Sequence, residues 1–409
     1  MTSALDYCDR AWLGGPTLDP GWLDPTGTDP EGLDRALQPF GHSRMLPAAA
    51  YTSPQVLAWE RRYLLAGTWT CVGRESDLRQ ASEGGDVTQR ALLVGDVSVL
   101  LTWLDVEVRA FANTCRHRGH ELLADIDTAT RRSIVCPYHA WSYDLAGSLR
   151  AAPSYQQVPG FDPQEHQLVQ LSVERWHGWL FVHAANSAEV GAPVEFEAFI
   201  GELEALVAPY APERLVLGER HTYEVAANWK VITENYHECY HCPLIHPELC
   251  QVTPPSSGEN YQLPGAWVGG YMDLREGMAT MSMTGDSPGR PIPGANPRVV
   301  EYLGLLPNLL ISAHPDYVMT HRMLPLAPDR TWVECSWYFP AGGAGLIDPR
   351  YAVEFWDLTN RQDWAACESV QRGLASPHFR PGPFGPGEDA VHQFVTLVGR
   401  AYRGLPLHT

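Results

Sequence analysis

The chain has 409 residues, 44% of them hydrophobic and 19% charged, and a formal charge of -19 from 29 basic and 48 acidic side chains. That length allows two or three domains of roughly 100 to 200 residues, and no window approaches the roughly 20 apolar residues of a membrane-spanning helix. The negative field excludes a nucleic-acid or anionic-membrane surface and leaves room for a cationic substrate.

Met1 to Asp6 has neither the basic start nor the apolar run of a secretory signal, so the expected compartment is the cytoplasm. Nine cysteines are an odd number spread unevenly, which speaks against a disulfide framework and for metal binding.

Residues 1 to 45 are rich in Gly, Pro and Asp and read as an irregular arm, taken to about residue 50 as the first segment. Residues 54 to 65 fit a short amphipathic helix with proline in its first turn. From 87 to 184 short β-prone runs follow at 91–94, 97–104, 106–112, 133–136, 168–173 and 179–183, with Gly95-Asp96 and Ala146-Gly147 as hairpin turns. This is the pattern of a small antiparallel domain, assigned to 51–185 with its preceding helix. The remainder, 186–409, forms a second domain. It opens with a Glu-rich helix near 194–207 and a strand at 215–226, and Asn228 then caps a helix starting at Trp229. β-Prone runs at 299–305, 308–313, 317–324 and 331–339 lead to a long helix over 350–372, with Gly373 as its C-terminal cap and Pro377 beyond.

Two constellations carry chemistry. The first is Cys115-Arg116-His117-Arg118-Gly119 followed by Cys136-Pro137-Tyr138-His139-Ala140-Trp141, with 18 residues between His117 and Cys136. Two thiolates can hold one iron and two imidazoles the other, the ligand set of a Rieske [2Fe–2S] centre; the same four side chains could also close around zinc. Arg116, Arg118 and His120 are not ligands on this reading.

The second constellation is Asn235-Tyr236-His237-Glu238-Cys239-Tyr240-His241-Cys242-Pro243, with His246-Pro247 after it. A helix continuing from Trp229 puts Glu238 and His241 on one face, and Pro243 then turns the chain so that His246 swings back beside His241. An oxygen-activating iron needs two histidines and a carboxylate with its other positions open. Asp363 is the best third ligand, because on the helix over 350–372 it aligns with Trp356, Thr359, Cys367, Val370 and Leu374, and an acid in an apolar stripe needs a partner. The rival set is a closed zinc site of Cys239, His241, Cys242 and His246.

With these residues in hand, the sequence resembles the Rieske non-haem iron oxygenases. Arg-Gly after the first Cys-x-His and Trp after the second Cys-x-x-His recur in that family, although Ala140 stands where many members have glycine. Asn228-Trp229-Lys230, Glu234-Asn235-Tyr236 and Glu238-Cys239-Tyr240-His241-Cys242-Pro243 are similar to the oxygenases of choline, glycine betaine, stachydrine and carnitine. Thr359 to Asp363, with Glu368 and Gln371-Arg372-Gly373, is similar most of all to glycine betaine demethylases.

The resemblance implies an α+β chain: a small antiparallel β Rieske [2Fe–2S] domain and a helix-grip catalytic domain. Cys115, His117, Cys136 and His139 would bind the cluster, and His241, His246 and Asp363 a mononuclear Fe(II). Glu238 would carry electrons from His139 of a neighbouring subunit to His241, with Asn235 also in a catalytic role. It further implies a homotrimer, O2 as co-substrate, and NAD(P)H electrons delivered by a separate flavin and iron–sulfur reductase. The activity implied is N-demethylation of a small cation, against an aromatic-ring dioxygenase or O-demethylase as the alternative. A methylammonium group needs aromatic faces, for which Tyr236, Trp267, Tyr271 and Tyr302 are the candidates.

Overall fold

The computed structural model describes residues 30–80, 86–124, 127–341, 347–405 and 407. The chain divides into two compact units: one comprises Glu60–Val194, the other joins the segment ending at Trp59 to everything from Glu195 onward. The span expected for the first was 51–185. Most of the irregular arm lies outside the described residues, but its end is ordered. Pro30–Ala36 is a helix with Leu33 and Ala36 fully buried, which the Gly/Pro/Asp-rich composition did not suggest. The helix expected over 54–65 is α-helical from Pro54 to Trp59 and π-type over Glu60–Leu65.

In the first unit the strands are β1 (Thr70–Arg74), β2 (Gln89–Val94), β3 (Val97–Leu104), β4 (Glu107–Ala112), β5 (Thr128–Ala129), β6 (Ser133–Val135), β7 (Ser142–Asp144), β8 (Leu149–Ala151), β9 (Gln170–Trp176) and β10 (Trp179–His183). They form a seven-stranded sheet in the order β1-β10-β9-β4-β3-β2-β5 and a three-stranded sheet β6-β7-β8. Gly95-Asp96 does join β2 to β3, whose last and first residues, Val94 and Val97, pair. Gly95 has φ +62°, and a side chain there would strike the Arg61 carbonyl, so glycine is required. A core of Leu100, Phe111, Ile134, Trp141, Tyr143 and Leu145 holds Cys115 and Cys136 buried within it.

The second unit is built on β11 (Leu215–Val225), β12 (Glu259–Asn260), β13 (Trp267–Asp273), β14 (Val299–Leu305), β15 (Leu309–Ala313), β16 (Val318–Ala327) and β17 (Arg330–Pro340), antiparallel in the order β11-β17-β16-β15-β14-β13-β12. Three helices matter for the site: α1 (Trp229–Tyr236), α2 (Arg350–Leu374) and α3 (Asp389–Tyr402). Phe355 and Trp356 of α2 pack with Met319, Trp337 and Phe339 of the sheet, which is the long-helix-on-antiparallel-sheet arrangement expected. The helix expected near 194–207 is two short ones, Phe196–Ile200 and Leu203–Val207, parted at Gly201 with φ +52°.

Asn228 caps α1 as expected, its Oδ1 accepting from the Lys230 N–H at 3.0 Å. The helix ends at Tyr236, however, and does not run on to His241. His237 leaves helical geometry, and the Glu238 carboxylate takes the Tyr240 N–H, which a continued helix would have given to Tyr236. Pro243 does not end a helix either. It lies in the first turn of a new one, Cys242–Ile245, where a missing N–H costs nothing. On α2, Gly373 is helical and the cap is Ala375; Val370, expected on the inner stripe, is 45% exposed while Gln371 is buried.

Candidate functional site

In the first unit the two Cys/His loops are near copies of each other. In one, the Cys115 N–H donates to the His120 carbonyl (2.8 Å) and the Gly119 N–H to the Cys115 carbonyl (3.0 Å). In the other, the Cys136 N–H donates to Trp141 (2.8 Å) and the Ala140 N–H to Cys136 (3.1 Å). Gly119 (φ +75°) and Ala140 (φ +57°) occupy the same left-handed position, which explains why glycine is the common choice and marks Ala140 as strained.

The donor set fits a Rieske cluster. Both thiols are buried, and the His117 and His139 rings lie 4.5 Å apart. The Tyr155 hydroxyl bonds His117 Nε2 at 3.0 Å, while the buried Nδ1 has no partner among the described residues, as an atom that ligates iron would. Trp141 stacks on His117 with ring planes 7° apart, and Tyr143 OH, accepting from the Arg116 N–H, lies 3.5 Å from Cys115 Sγ. Burial, and then the neighbouring thiol, push the Cys115 pKa up, a strain that iron coordination would relieve. His139 and Tyr138 are exposed. Tyr143 and Tyr155 escaped the sequence reading because neither lies in a ligand motif.

In the second unit, His241, His246 and Asp363 converge although 117 residues separate the last two. His246 Nε2 is 2.9 Å from Asp363 Oδ1 and 3.2 Å from His241 Nε2; His241 Nε2 is 3.4 Å from the same Oδ1. Cis ligands on a divalent ion with bonds of about 2.1 Å sit about 3.0 Å apart, so the three atoms fit one face of an octahedron. Asp363 is partly buried, which acts to raise its pKa, but hydrogen bonds from His241, His246 and Asn235 outweigh this and hold it at about 2. For His241 burial works the other way, yet Asp363 and Glu238 carry its pKa up to about 9.

Each of the three has one outer partner. Glu238 Oε1 meets His241 Nδ1 at 2.5 Å, Gln362 Oε1 meets His246 Nδ1 at 2.7 Å, and Asn235 Nδ2 donates to Asp363 Oδ1 at 2.7 Å. The other oxygen of Glu238 accepts from the Tyr240 N–H. Cys239 and Cys242 are joined in a disulfide, so one bridge exists where no disulfide framework was expected, and these sulfurs are not free for the rival zinc set.

A cavity of about 1200 Å³ opens on this face. All four expected aromatics line it: Tyr236, whose OH meets Ser312 Oγ at 2.9 Å; Trp267; Tyr271; and Tyr302, 5.9 Å from Tyr236 ring to ring. The sequence reading missed His237, His321 and Trp364, which also line it; Trp356, noted only as aligned with Asp363, joins them. For Trp364, adjacency to Asp363 on α2 was the available signal. Among the described lining residues are the acids Glu238, Glu259, Asp363 and Asp389, and no lysine or arginine.

Two donor sets of these types on a Rieske domain and a helix-grip domain are those of the oxygenase subunit of a Rieske non-haem iron oxygenase, and the chain belongs to that family. Residues 68–162 match the Rieske [2Fe-2S] domain and 212–404 the catalytic domain of the ring-hydroxylating alpha subunit. The chain is 37% identical over 343 residues to the carnitine monooxygenase oxygenase subunit of Escherichia coli K12, covering 82% of this chain and 85% of that protein. It is 29% identical over 375 residues to the glycine betaine monooxygenase oxygenase subunit of Chromohalobacter salexigens, covering 83% and 81%. The crystal structure of the quaternary ammonium Rieske monooxygenase CntA with L-carnitine matches with a TM-score of 0.68 at 27% identity, over 88% of this chain and 96% of that one. The protein is thus an oxidoreductase, a Rieske monooxygenase subunit that carries a [2Fe–2S] cluster and a mononuclear iron.

Proposed function

We propose that this subunit hydroxylates an N-methyl carbon of a quaternary or tertiary ammonium compound of the glycine betaine type. The resulting hemiaminal breaks its C–N bond to release formaldehyde and the demethylated amine. One O2, two electrons and two protons are consumed per methyl group, with one oxygen atom entering the carbon and the other leaving as water.

The cavity wall carries this reading. Tyr236, Trp267, Tyr271 and Tyr302 bring to the wall the aromatic side chains that stabilise a desolvated cation, and a simple anion would meet Glu259, Asp363 and Asp389 with no lysine or arginine among the described lining residues. The relatives named for carnitine and glycine betaine agree with it.

When bound, the cluster supplies single electrons and the mononuclear iron activates dioxygen. His241, His246 and Asp363 would hold that iron from one side, leaving the cavity side for substrate. Cys115, Cys136, His117 and His139 would hold the cluster. Asn235 keeps the Asp363 carboxylate in place by donating to it. Glu238 would join the sites: one oxygen already meets His241 Nδ1, and the exposed edge of His139 on a second copy would reach the carboxylate from outside. That exchange requires at least a cyclic assembly, which we take to be a homotrimer. We place the protein in the cytoplasm, where a separate reductase would pass on NAD(P)H electrons. No helix among the described residues is long and apolar enough to cross a membrane.

The test is a panel of methylammonium compounds incubated with holoenzyme and a surrogate reductase, scored for formaldehyde and oxygen uptake. Stoichiometric formaldehyde from one or more cations is expected. Silence on every cation with turnover of an arene would replace this reading with ring oxidation.

A further inference from the structure

We infer that Gln362 and Glu248 form a positioning relay that keeps the proton of neutral His246 on Nδ1 and so leaves its Nε2 lone pair free for the metal. The inference rests on the metal-site reading above and adds to it a cause for the state of one ligand.

His246 is 1% exposed, so water cannot decide its tautomer. Its Nε2 lies 2.9 Å from Asp363 Oδ1 and its Nδ1 2.7 Å from Gln362 Oε1. A neutral imidazole has one proton for these two places. With the proton on Nε2, the ring donates to Asp363, and no lone pair is left for a metal. With the proton on Nδ1, it donates to Gln362, and the Nε2 lone pair points at the site. Only the second arrangement is competent to bind a metal, and the 2.7 Å contact of Nδ1 with Gln362 Oε1 is the one that supports it.

Gln362 tips the balance only if its oxygen faces the ring. A glutamine amide can be turned either way, and the flipped form would present N–H groups to Nδ1 and select the wrong tautomer. Glu248 removes that freedom. Its Oε2 lies 3.4 Å from Gln362 Nε2, and a carboxylate only accepts, so the amide must turn its NH2 to Glu248 and its oxygen to His246. The chain of dependence runs from Glu248, in the first turn of the helix Pro247–Val252, through Gln362 on α2, to the ring of His246.

His241 is handled differently. A carboxylate, Glu238, backs its Nδ1 directly and leaves no amide to orient. The two histidines therefore differ in the charge behind them, one facing an anion and the other a neutral amide. Outer partners of this kind typically change metal affinity 10- to 100-fold when removed.

The experiment measures mononuclear iron affinity, separately from turnover, by anaerobic equilibrium dialysis of the cluster-loaded protein against Fe(II). Gln362→Leu keeps the volume and removes the acceptor; it is expected to weaken Fe(II) binding about 10- to 100-fold. Glu248→Leu frees the amide to flip and should weaken binding by about 10-fold. Glu248→Gln still offers an acceptor and should stay within about threefold of the parent, since only the charge is lost. Two results overturn the relay: parental affinity in Gln362→Leu, or an equal loss in Glu248→Gln and Glu248→Leu, which would make charge rather than orientation the cause. Thermal melts of the metal-free variants and an unchanged cluster spectrum establish that each is folded. His246→Ala is the control for the underlying reading: if it retained Fe(II), the metal site itself would be misassigned.

Discussion

Ala140→Gly and Gly119→Ala form a matched pair, because the two cluster loops share their backbone bonds and differ at this position only in having or lacking a Cβ. At φ +57° the Ala140 Cβ crowds the following carbonyl, at a cost of about 1 to 2 kcal/mol. Glycine relieves this but adds freedom to the unfolded chain worth about 0.5 to 1 kcal/mol, leaving a net gain of about 0.5 to 1 kcal/mol. Gly119→Ala is the reverse. A Cβ there would meet only Thr114 Cγ2 at 4.0 Å, so no steric clash adds to a backbone cost of about 1 kcal/mol. The unit from Glu60 to Val194 has 135 residues, for which about 1 kcal/mol moves the midpoint by about 3 to 4 °C. Melting followed by bleaching of the cluster's visible absorbance should therefore rise by up to about 4 °C in Ala140→Gly, fall by about as much in Gly119→Ala, and stay near the parent in the double variant. A lower midpoint in Ala140→Gly would refute the argument that the two loops are equivalent and that Ala140 is strained.

Glu238→Gln should retain cluster and mononuclear iron yet lose most of its reductase-driven formaldehyde production, since an amide has one acceptor atom where the carboxylate uses two, toward the Tyr240 N–H and His241 Nδ1; a fully active variant would sink the bridging role. Asp363→Ala should lose mononuclear iron while the cluster's EPR signal persists, because the carboxylate completes only the His241–His246 set. Tyr143→Phe should lower the cluster potential by about 40 mV, the equivalent of one hydrogen bond of about 1 kcal/mol to the more negative reduced cluster; a potential unchanged within error would mean that the hydroxyl does not donate to Cys115 Sγ. Burial pushes Glu301 up to about 7 despite the Tyr261 hydroxyl donating to it, so the folded state holds its proton more tightly than the unfolded state. Its stabilising contribution is complete below about pH 4.5 and is lost as pH rises through about 7. Glu301→Gln, which keeps an acceptor for Tyr261, should therefore be more stable than the parent by about 1 to 3 kcal/mol at pH 8 and nearly equal to it at pH 4.5, as read by urea denaturation.

The elements that were legible early were those whose cause is local. Asn228 caps α1 because its own side chain reaches an N–H two residues on, and Gly95-Asp96 turns β2 into β3 because glycine tolerates the backbone there. Where local signals competed, the sequence misled. The helix through Glu238 to His241 failed because a carboxylate two residues past a helix end can take backbone N–H groups for itself, and Gly373 failed as a cap because the helix runs two residues beyond Arg372 and buries Leu374. Residues 30–36 carried turn-like composition yet form a helix with buried Leu33 and Ala36.

The sequence by itself determined the donor types on offer: two Cys/His pairs and two histidines at ligand spacing, with Asp363 singled out because a charge on an apolar helical stripe requires a partner, and the structure brings Asp363 to His241 and His246. Only the tertiary structure decided what stands behind those ligands. Tyr155 behind His117 comes from a segment with no motif of its own, and although Gln362 lies in the Thr359 to Asp363 stretch, its contact with His246, 116 residues away, and with Glu248 had no signal in the sequence. A ligand must present a particular atom type, which restricts the residue and shows in the sequence. An outer partner needs only to accept or donate at the right point in space, which many side chains can do, so its identity appears only once the fold has brought it there.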